Sequence, residues 1–124
     1  MTTPAHPRSA PPPVLVIVNA RVWTNDPRRP WADAVLVRED RVIAVGSSAE
    51  LRKRAGATAL IVDARGWLVR PALPTAALVP GAEATLDVIE RARSEEPLAA
   101  SDELATVFSL IAGRIVRDRH GLAG

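Results

Sequence analysis

An all-β domain is the fold class that this sequence predicts, and three observations predict it. Short runs of β-branched residues recur along the chain, turn residues separate them, and one segment carries helix-boundary signals. We expect about eight short strands and one short helix, arranged as a small β-sandwich or a partly closed barrel. A chain of 124 residues with 48% hydrophobic residues can bury one core of this kind.

The chain divides into a tail, a single domain and a short end. Residues 1–13 are rich in proline and almost free of large apolar side chains, which predicts a disordered tail. The domain is predicted over residues 14–118, with an N-terminal half at 14–71, a connector at 72–81 and a C-terminal half at 82–118. Residues 119–124 are predicted to form a flexible tail.

Strands account for most of the N-terminal half. The β-branched run from Val14 to Val18 predicts a strand buried on both faces. Asn19-Ala20 permits a tight turn, after which Arg21 to Thr24 alternates like a short partner strand. Residues 25–30 combine Pro with Asn and Asp, which is typical of a turn. Residues 34–37 and 41–45 predict a hairpin.

The predicted helix follows this hairpin. Ser47 and Glu50 have the spacing of a capping box, which predicts a helix that begins here and runs through Arg54. Gly56 is the expected C-terminal stop, and the basic side chains before it suit the last helical turn. Two short strands are then predicted at 59–63 and 67–69.

The C-terminal half opens on an unusual connector. Residues 70–81 hold three prolines and no charge beyond Arg70, so they are predicted to be a connector and not a central strand. A strand is predicted at 84–89. A polar excursion follows, with a helical turn at 101–104, before a last hairpin formed by 106–112 and 114–116 around Gly113.

The inventory of side chains predicts no catalytic, cofactor-binding or metal-ligating residue. Cysteine is absent, and the two histidines are His6 in the predicted tail and His120 near the C-terminus. A protein zinc site needs three or four converging ligands. The glycines are scattered singly, which excludes a phosphate-binding loop, and the adjacent carboxylates at 95–96 and 102–103 are typical of a solvated face.

Neither nucleic acid nor a membrane is an expected partner. The net charge is only +2, and the arginines stand beside carboxylates that cancel them locally. Trp23, Trp31 and Trp67 are expected to anchor the core or a seam, since base-stacking platforms need more aromatic residues. The sequence contains neither an apolar run of about eighteen residues nor a signal-peptide pattern, so we expect a cytoplasmic protein.

The order of residues resembles the start of the amidohydrolase superfamily, in particular its metal-dependent hydrolases. The resemblance rests on Val16 to Thr24, Pro30 to Ala34, Arg41 to Gly46 and Gly66 to Pro71. It implies the first half of a small β-sandwich, which in the family leads into a metal-binding (β/α)₈ barrel. Residues 80–89 and 107–116 resemble the return of the chain into the sandwich.

The catalytic barrel is missing from this resemblance. The family enters its barrel with Asp-x-His-x-His after a Pro-Gly, whereas this chain has Thr75, Ala77 and Val79 at the matching positions. Only ten positions separate Pro71 from Gly81, and the single lysine, Lys53, lies on the predicted helix. The resemblance therefore implies the sandwich domain alone, without metal, cofactor or catalytic residues.

Three functions are compatible with such a domain. The first is a non-catalytic association module, a homodimer, since an apolar face that normally packs on a barrel needs another cover. The second is a residual hydrolase of non-peptide C–N bonds that depends on zinc and His120. The third is a regulatory pseudo-enzyme that binds a full-length amidohydrolase relative. For the homodimer the connector either folds back or exchanges between chains, and the candidate interface residues are Trp23, Trp67, Leu73, Leu78 and Val79.

Overall fold

The chain forms two β-sheets and one helix. A computed structural model describes residues 14–90 and 106–123. Its strands are β1 (Val14–Val18), β2 (Arg21–Trp23), β3 (Trp31–Ala32), β4 (Ala34–Arg38), β5 (Arg41–Gly46), β6 (Leu60–Asp63), β7 (Leu68–Pro71), β8 (Leu86–Ile89), β9 (Thr106–Ile111) and β10 (Arg114–Asp118), and its helix is α1 (Ser48–Ala55). One sheet has the order β5-β4-β1-β6 and the other β10-β9-β8-β7-β2-β3. The predicted all-β, sandwich-like fold is confirmed, and the described strands do not close into a barrel.

The main core lies between the two sheets. Ile17 and Val35 of the four-stranded sheet share one apolar cluster with Val88 and Phe108 of the six-stranded sheet. A second, smaller cluster joins the other face of the four-stranded sheet to Leu51 of α1. Successive residues of β1 alternate between these clusters, because neighbouring side chains of a strand point to opposite faces. The continuous apolar run at 14–18 thus serves two cores at once.

The helix begins and ends where the sequence predicts. The Ser47 side chain accepts a hydrogen bond from the backbone N–H of Glu50 at 3.2 Å. Gly56, with φ +87°, donates its N–H to the carbonyl of Arg52 and ends the helix. Leu51 is buried on the face that packs against the four-stranded sheet, and the basic side chains remain exposed.

Strand β2 pairs differently from the prediction. It does not pair with β1 but joins the six-stranded sheet, parallel to β7 and antiparallel to β3. Asn19 redirects the chain between the sheets with a φ of +54°, a conformation that Asn adopts more readily than most residues. Its N–H donates to Ser48 Oγ at 2.9 Å. Strand β3 was not predicted, because two residues after Pro30 give no alternation to detect.

The connector at 72–81 folds back on its own chain. Asn25 Nδ2 donates hydrogen bonds to the carbonyls of Pro74 at 3.1 Å and Ala76 at 2.8 Å. The N–H of Leu78 donates to the carbonyl of Thr24 at 2.8 Å, and the Leu78 side chain is only 1% exposed in the main core. A short loop therefore closes the gap between β7 and the C-terminal half.

The segment 119–123, predicted to be a flexible tail, instead packs on the domain. Both carboxylate oxygens of Asp118 accept backbone N–H groups, from Leu122 at 2.7 Å and Ala123 at 3.0 Å. This turn delivers the Leu122 side chain into the main core. A buried leucine is a sufficient reason for order at this end. The predicted tail at 1–13 and the predicted helical turn at 101–104 lie outside the described residues.

Candidate association surface

Most strand edges in this domain are covered by the chain itself. The free side of β5 is met by the last connector residue and the residue after it, where Val42 donates to the carbonyl of Ala82 and accepts from Gly81, both at 2.8 Å. The free side of β6 is met by the C-terminal segment, where Asp63 donates to the carbonyl of Leu122 at 3.1 Å. Strand β3 is two residues long. Within residues 14–90 and 106–123, β10 is the long edge strand that remains open.

Exposed apolar side chains gather around this open strand. Ile115 and Val116 of β10 are 39% and 56% exposed, while Ile111 of β9 and Leu73 of the connector reach 54% and 61%. Leu73, Ile111 and Val116 border a shallow cavity of about 460 Å³ on the outside of the six-stranded sheet. Ile115 lies on the other face of β10, opposite buried Leu110, and we call the four side chains along this edge the β10 surface. Exposed apolar clusters of this kind mark interaction sites more often than isolated apolar residues do.

The cavity beside the β10 surface has a polar floor. Asp87 and Ser109 lie opposite each other in register, and Ser109 Oγ donates to Asp87 Oδ1 at 2.7 Å. Arg117 continues the same row on β10. In the described residues no three His, Asp or Glu side chains converge on one point that would suit a metal ion. The rim of this cavity is therefore apolar and its floor is polar.

A bulge and a tight turn hold β10 in position. Ile115 lies opposite Leu110 and Arg117 opposite Ser109, so Val116 is an extra residue in the pairing with β9. The turn at Ala112-Gly113 has positive φ at both residues. A Cβ at Gly113 would lie within 1.8 Å of the Glu39 carbonyl oxygen, so this turn packs directly on the β4–β5 turn. The β9–β10 hairpin is thereby attached to the other sheet.

Charges of both signs border the β10 surface. Arg114 and Arg117 are exposed on β10 itself. Glu39 is exposed on the β4–β5 turn, against which the β9–β10 turn packs, and Glu83 is exposed in the loop before β8. A surface that presents both signs is able to match itself in a symmetric dimer, where each patch meets its own copy.

The two predicted tryptophan anchors are engaged within their own chain. The ring centroids of Trp23 and Trp31 are 5.1 Å apart. The Arg21 guanidinium lies over the Trp31 ring, 4.0 Å from its centroid. Trp67 is half-buried against the main core, with its ring centroid 6.0 Å from that of His120. Neither Trp23 nor Trp67 lies on the β10 surface.

The three predicted connector residues have different positions. Leu78 is part of the core and offers no surface to a partner in this arrangement. Val79 is half-buried in a groove shared with the loop at 25–28. Leu73 is exposed and belongs to the β10 surface. The structure therefore brings one of the five predicted residues into the candidate surface.

Three residues of the β10 surface were not predicted from the sequence. Ile111, Ile115 and Val116 were assigned to a final hairpin without regard to their exposure. One signal was present: Ile115 and Val116 are adjacent in a strand, so their side chains point to opposite faces and cannot share one core. Arginines flank the pair on both sides, which is typical of an edge strand.

The metal-entry positions of the family resemblance lie on the connector. Thr75 is exposed, while Ala77 and Val79 are half-buried, and none of the three carries a metal-binding group. His120 lies elsewhere, with Nε2 3.5 Å from Glu90 Oε1. The structure therefore does not bring His120 to the connector.

The chain is similar to known proteins over part of its length. No family model matches the chain. N-substituted formamide deformylase of Arthrobacter pascens is 36% identical over 101 residues, which are 76% of this chain and 17% of that protein. The solved enamidase, described as a new member of the amidohydrolase superfamily, is 35% identical over 48% of this chain, with a TM-score of 0.42. The chain is thus similar to these two proteins over part of its length.

Other matches are shorter. Protein LONG AFTER FAR-RED 3 of Arabidopsis thaliana is 34% identical over 59 residues, which are 48% of this chain and 10% of that protein. An uncharacterised metal-dependent hydrolase from Pyrococcus furiosus is 22% identical over 48% of this chain and 13% of its own, with a TM-score of 0.41. The chain spans 17% of the first of these curated relatives and 10% of the second.

The two halves of the domain are joined by a short segment. Between β7 and the C-terminal half lies the folded-back connector. In the described ranges, no helix has both the length and the apolar character needed to cross a bilayer.

Proposed function

We propose that this amidohydrolase relative is a non-catalytic association module that forms a homodimer. The observation that carries the proposal is the coincidence of an open strand edge with exposed apolar side chains at β10. Either feature alone is common on monomers, but together they form a surface that gains from being covered. A two-fold dimer covers the same patch on both copies at once.

The connector supports the non-catalytic part of the proposal. A catalytic zinc ion needs three protein ligands that converge from rigid elements. The three positions that match the family's metal-entry strand are Thr75, Ala77 and Val79. Leu78, which lies among them, is committed to the core, so this loop is a structural part of the domain. The domain retains the packing of a sandwich without the strand that would present ligands.

Solution mass tests the homodimer. Size exclusion with light scattering, run over a range of micromolar concentrations, is expected to give twice the chain mass of 13.2 kDa. Ile115→Lys is expected to shift the protein to monomer, because it places a charge in the apolar contact. Leu60→Lys is the matched control, since Leu60 on β6 is 38% exposed and lies away from the β10 surface. A wild-type protein that has the monomer mass of 13.2 kDa at every concentration would contradict the proposal.

Hydrolysis of a C–N bond is the second candidate, favoured by the similarity to a formamide deformylase. Its test is release of formate from N-substituted formamides, with and without added zinc. The association module is expected to release none above buffer. Formate release by the wild-type chain that is lost in His120→Ala would favour the hydrolase instead.

Binding to a full-length amidohydrolase relative is a third form of association. It predicts a chain that is monomeric alone and gains mass when such a relative is added. A stable wild-type homodimer whose mass does not change on that addition favours the homodimer.

A further inference from the structure

Two opposite charges line the cavity beside the β10 surface without touching each other. Asp87 on β8 and Arg117 on β10 both border this cavity, and Ser109 on β9 lies between them in register. Asp87 accepts the Ser109 hydroxyl on one carboxylate oxygen. Among residues 14–90 and 106–123, the side chains of Asp87 and Arg117 make no other hydrogen bond or ion pair. Both charges are therefore available to a ligand in the cavity.

The spacing between these charges fits a small zwitterion. Strands β8 and β10 are separated by two strand intervals, roughly 9.6 Å, because β9 lies between them. Side chains stand roughly perpendicular to a sheet, so the two charged ends lie about as far apart as the strands. Two charge-assisted hydrogen bonds of about 2.8 Å each leave roughly 4 Å for the ligand's own charged groups. An α-amino acid carries its ammonium and carboxylate groups on one carbon and suits this gap.

The rim of the cavity indicates which side chain the ligand carries. Leu73, Ile111 and Val116 border the cavity, and each is more than half exposed. An apolar ligand side chain that covers them removes apolar surface from water on both partners, which favours binding. The cavity volume of about 460 Å³ lies within the range of small-ligand sites, roughly 300–1,000 Å³. The rim thus favours an apolar amino acid over a small polar one.

We propose that this cavity binds an apolar α-amino acid as a free zwitterion. Asp87 accepts a hydrogen bond from the ammonium group of the ligand, Arg117 donates to its carboxylate, and the apolar rim packs on its side chain. The interaction is binding without a chemical step. The inference goes beyond the proposed homodimer, because all of these residues belong to one chain.

A series of matched ligands tests the chemical class. Free leucine, added in the millimolar range because so small a ligand gains limited binding energy, is expected to shift the backbone amide resonances of β8, β9 and β10 in two-dimensional NMR. Isoamylamine lacks the carboxylate, isocaproate lacks the ammonium group and glycine lacks the apolar side chain. Each of the three is expected to bind at least roughly tenfold more weakly than leucine, because it loses one of the three contacts.

Substitutions at the two charged residues test the assigned contacts. Asp87→Asn keeps an oxygen for Ser109 Oγ but removes the negative charge, and Arg117→Gln removes the positive charge. Each variant is expected to weaken leucine binding roughly tenfold. Arg117→Gln should leave the affinity for isoamylamine unchanged, since that amine has no carboxylate. Arg114→Gln is the matched control, because Arg114 is exposed on the same strand and does not border the cavity.

The outcomes distinguish this site from the homodimer. Ile115→Lys, on the other face of β10, is expected to bind leucine whether or not the wild type is a dimer. Failure of both the wild type and Ile115→Lys to bind leucine overturns the site and leaves the homodimer untouched. Equal affinities for leucine, isoamylamine and isocaproate, or equal losses in Arg114→Gln and Arg117→Gln, also overturn it. Leucine binding by a monomeric wild-type chain supports the site and contradicts the homodimer alone.

Discussion

The two sheets of this domain differ in how completely their own chain covers them. The four-stranded sheet has α1 packed on its outer face, the connector along β5 and the C-terminal segment along β6. Within residues 14–90 and 106–123, the six-stranded sheet ends at β10, which carries exposed apolar side chains. Both sheets share the main core, so the difference lies at their outer surfaces. Among the described residues, β10 is therefore the long strand edge that no other segment covers.

The covering of the four-stranded sheet comes from segments that are far away in sequence. The connector follows β7 and the C-terminal segment follows β10, yet both return to edges in the first half of the chain. These segments satisfy backbone groups that would otherwise face solvent or another chain. Breaking one such contact should therefore weaken the covered side of the domain, while changes at β10 should alter association with little effect on folding.

The largest expected effect is at the contact between the two hairpins. Gly113→Ala would bring a Cβ within 1.8 Å of the Glu39 carbonyl oxygen, at a φ of +79° that disfavours side chains. We expect the free energy of unfolding to fall by more than about 4 kcal/mol, measured by urea denaturation. Gly56→Ala is the control, since its φ of +87° is also strained but no atom lies within 4 Å. A similar loss in both variants would mean that backbone strain, and not the contact, governs the result.

A smaller effect is expected at the connector. Leu78→Ala removes a buried side chain from the main core and should cost roughly 2–5 kcal/mol of unfolding free energy. Leu73→Ala, on the same connector but 61% exposed, should change the stability of the monomer by less than about 0.5 kcal/mol. Chemical denaturation measures the unfolding free energies of both variants. A much larger loss in Leu78→Ala than in Leu73→Ala shows that the connector folds back into the core. Equal and small losses would indicate a connector that does not enter the core of its own chain.

The smallest expected effect is at the helix that covers the four-stranded sheet. Ser47→Ala removes the acceptor for the Glu50 N–H and should cost about 1 kcal/mol, because one helix-end donor loses its partner. Ser47→Asp keeps a capping oxygen and should stay within a few tenths of a kcal/mol of the wild type. Thermal unfolding measures the stability of the wild type and the two variants, and Ser47→Ala is expected to be the least stable of the three. A neutral Ser47→Ala would show that α1 is held by Leu51 alone.

Local features of this fold were predictable because each depends on neighbours in sequence. Val14 to Val18 was recognised as a strand buried on both faces, and Ser47 and Gly56 were recognised as the helix ends. The hairpin of β4 and β5 was predicted within a residue at each end. The candidate surface was harder to predict from the sequence. Leu73 was proposed as one of its residues, while Ile111, Ile115 and Val116 were not. Their exposure depends on which strand becomes the edge of the sheet, and no local pattern states that.

By itself the sequence determined the all-β class, the helix caps and the resemblance to amidohydrolases, because apolar alternation, capping residues and short motifs act within a few positions. The tertiary structure decided that β2 joins the sheet of β7, that Leu78 enters the core and that residues 119–123 pack. Those outcomes depend on contacts between distant residues, such as Asn25 with Ala76, 51 positions apart, and Arg65 with His120, 55 positions apart. Such contacts form only once the two sheets have met, and among the described strands they leave β10 as the long open edge.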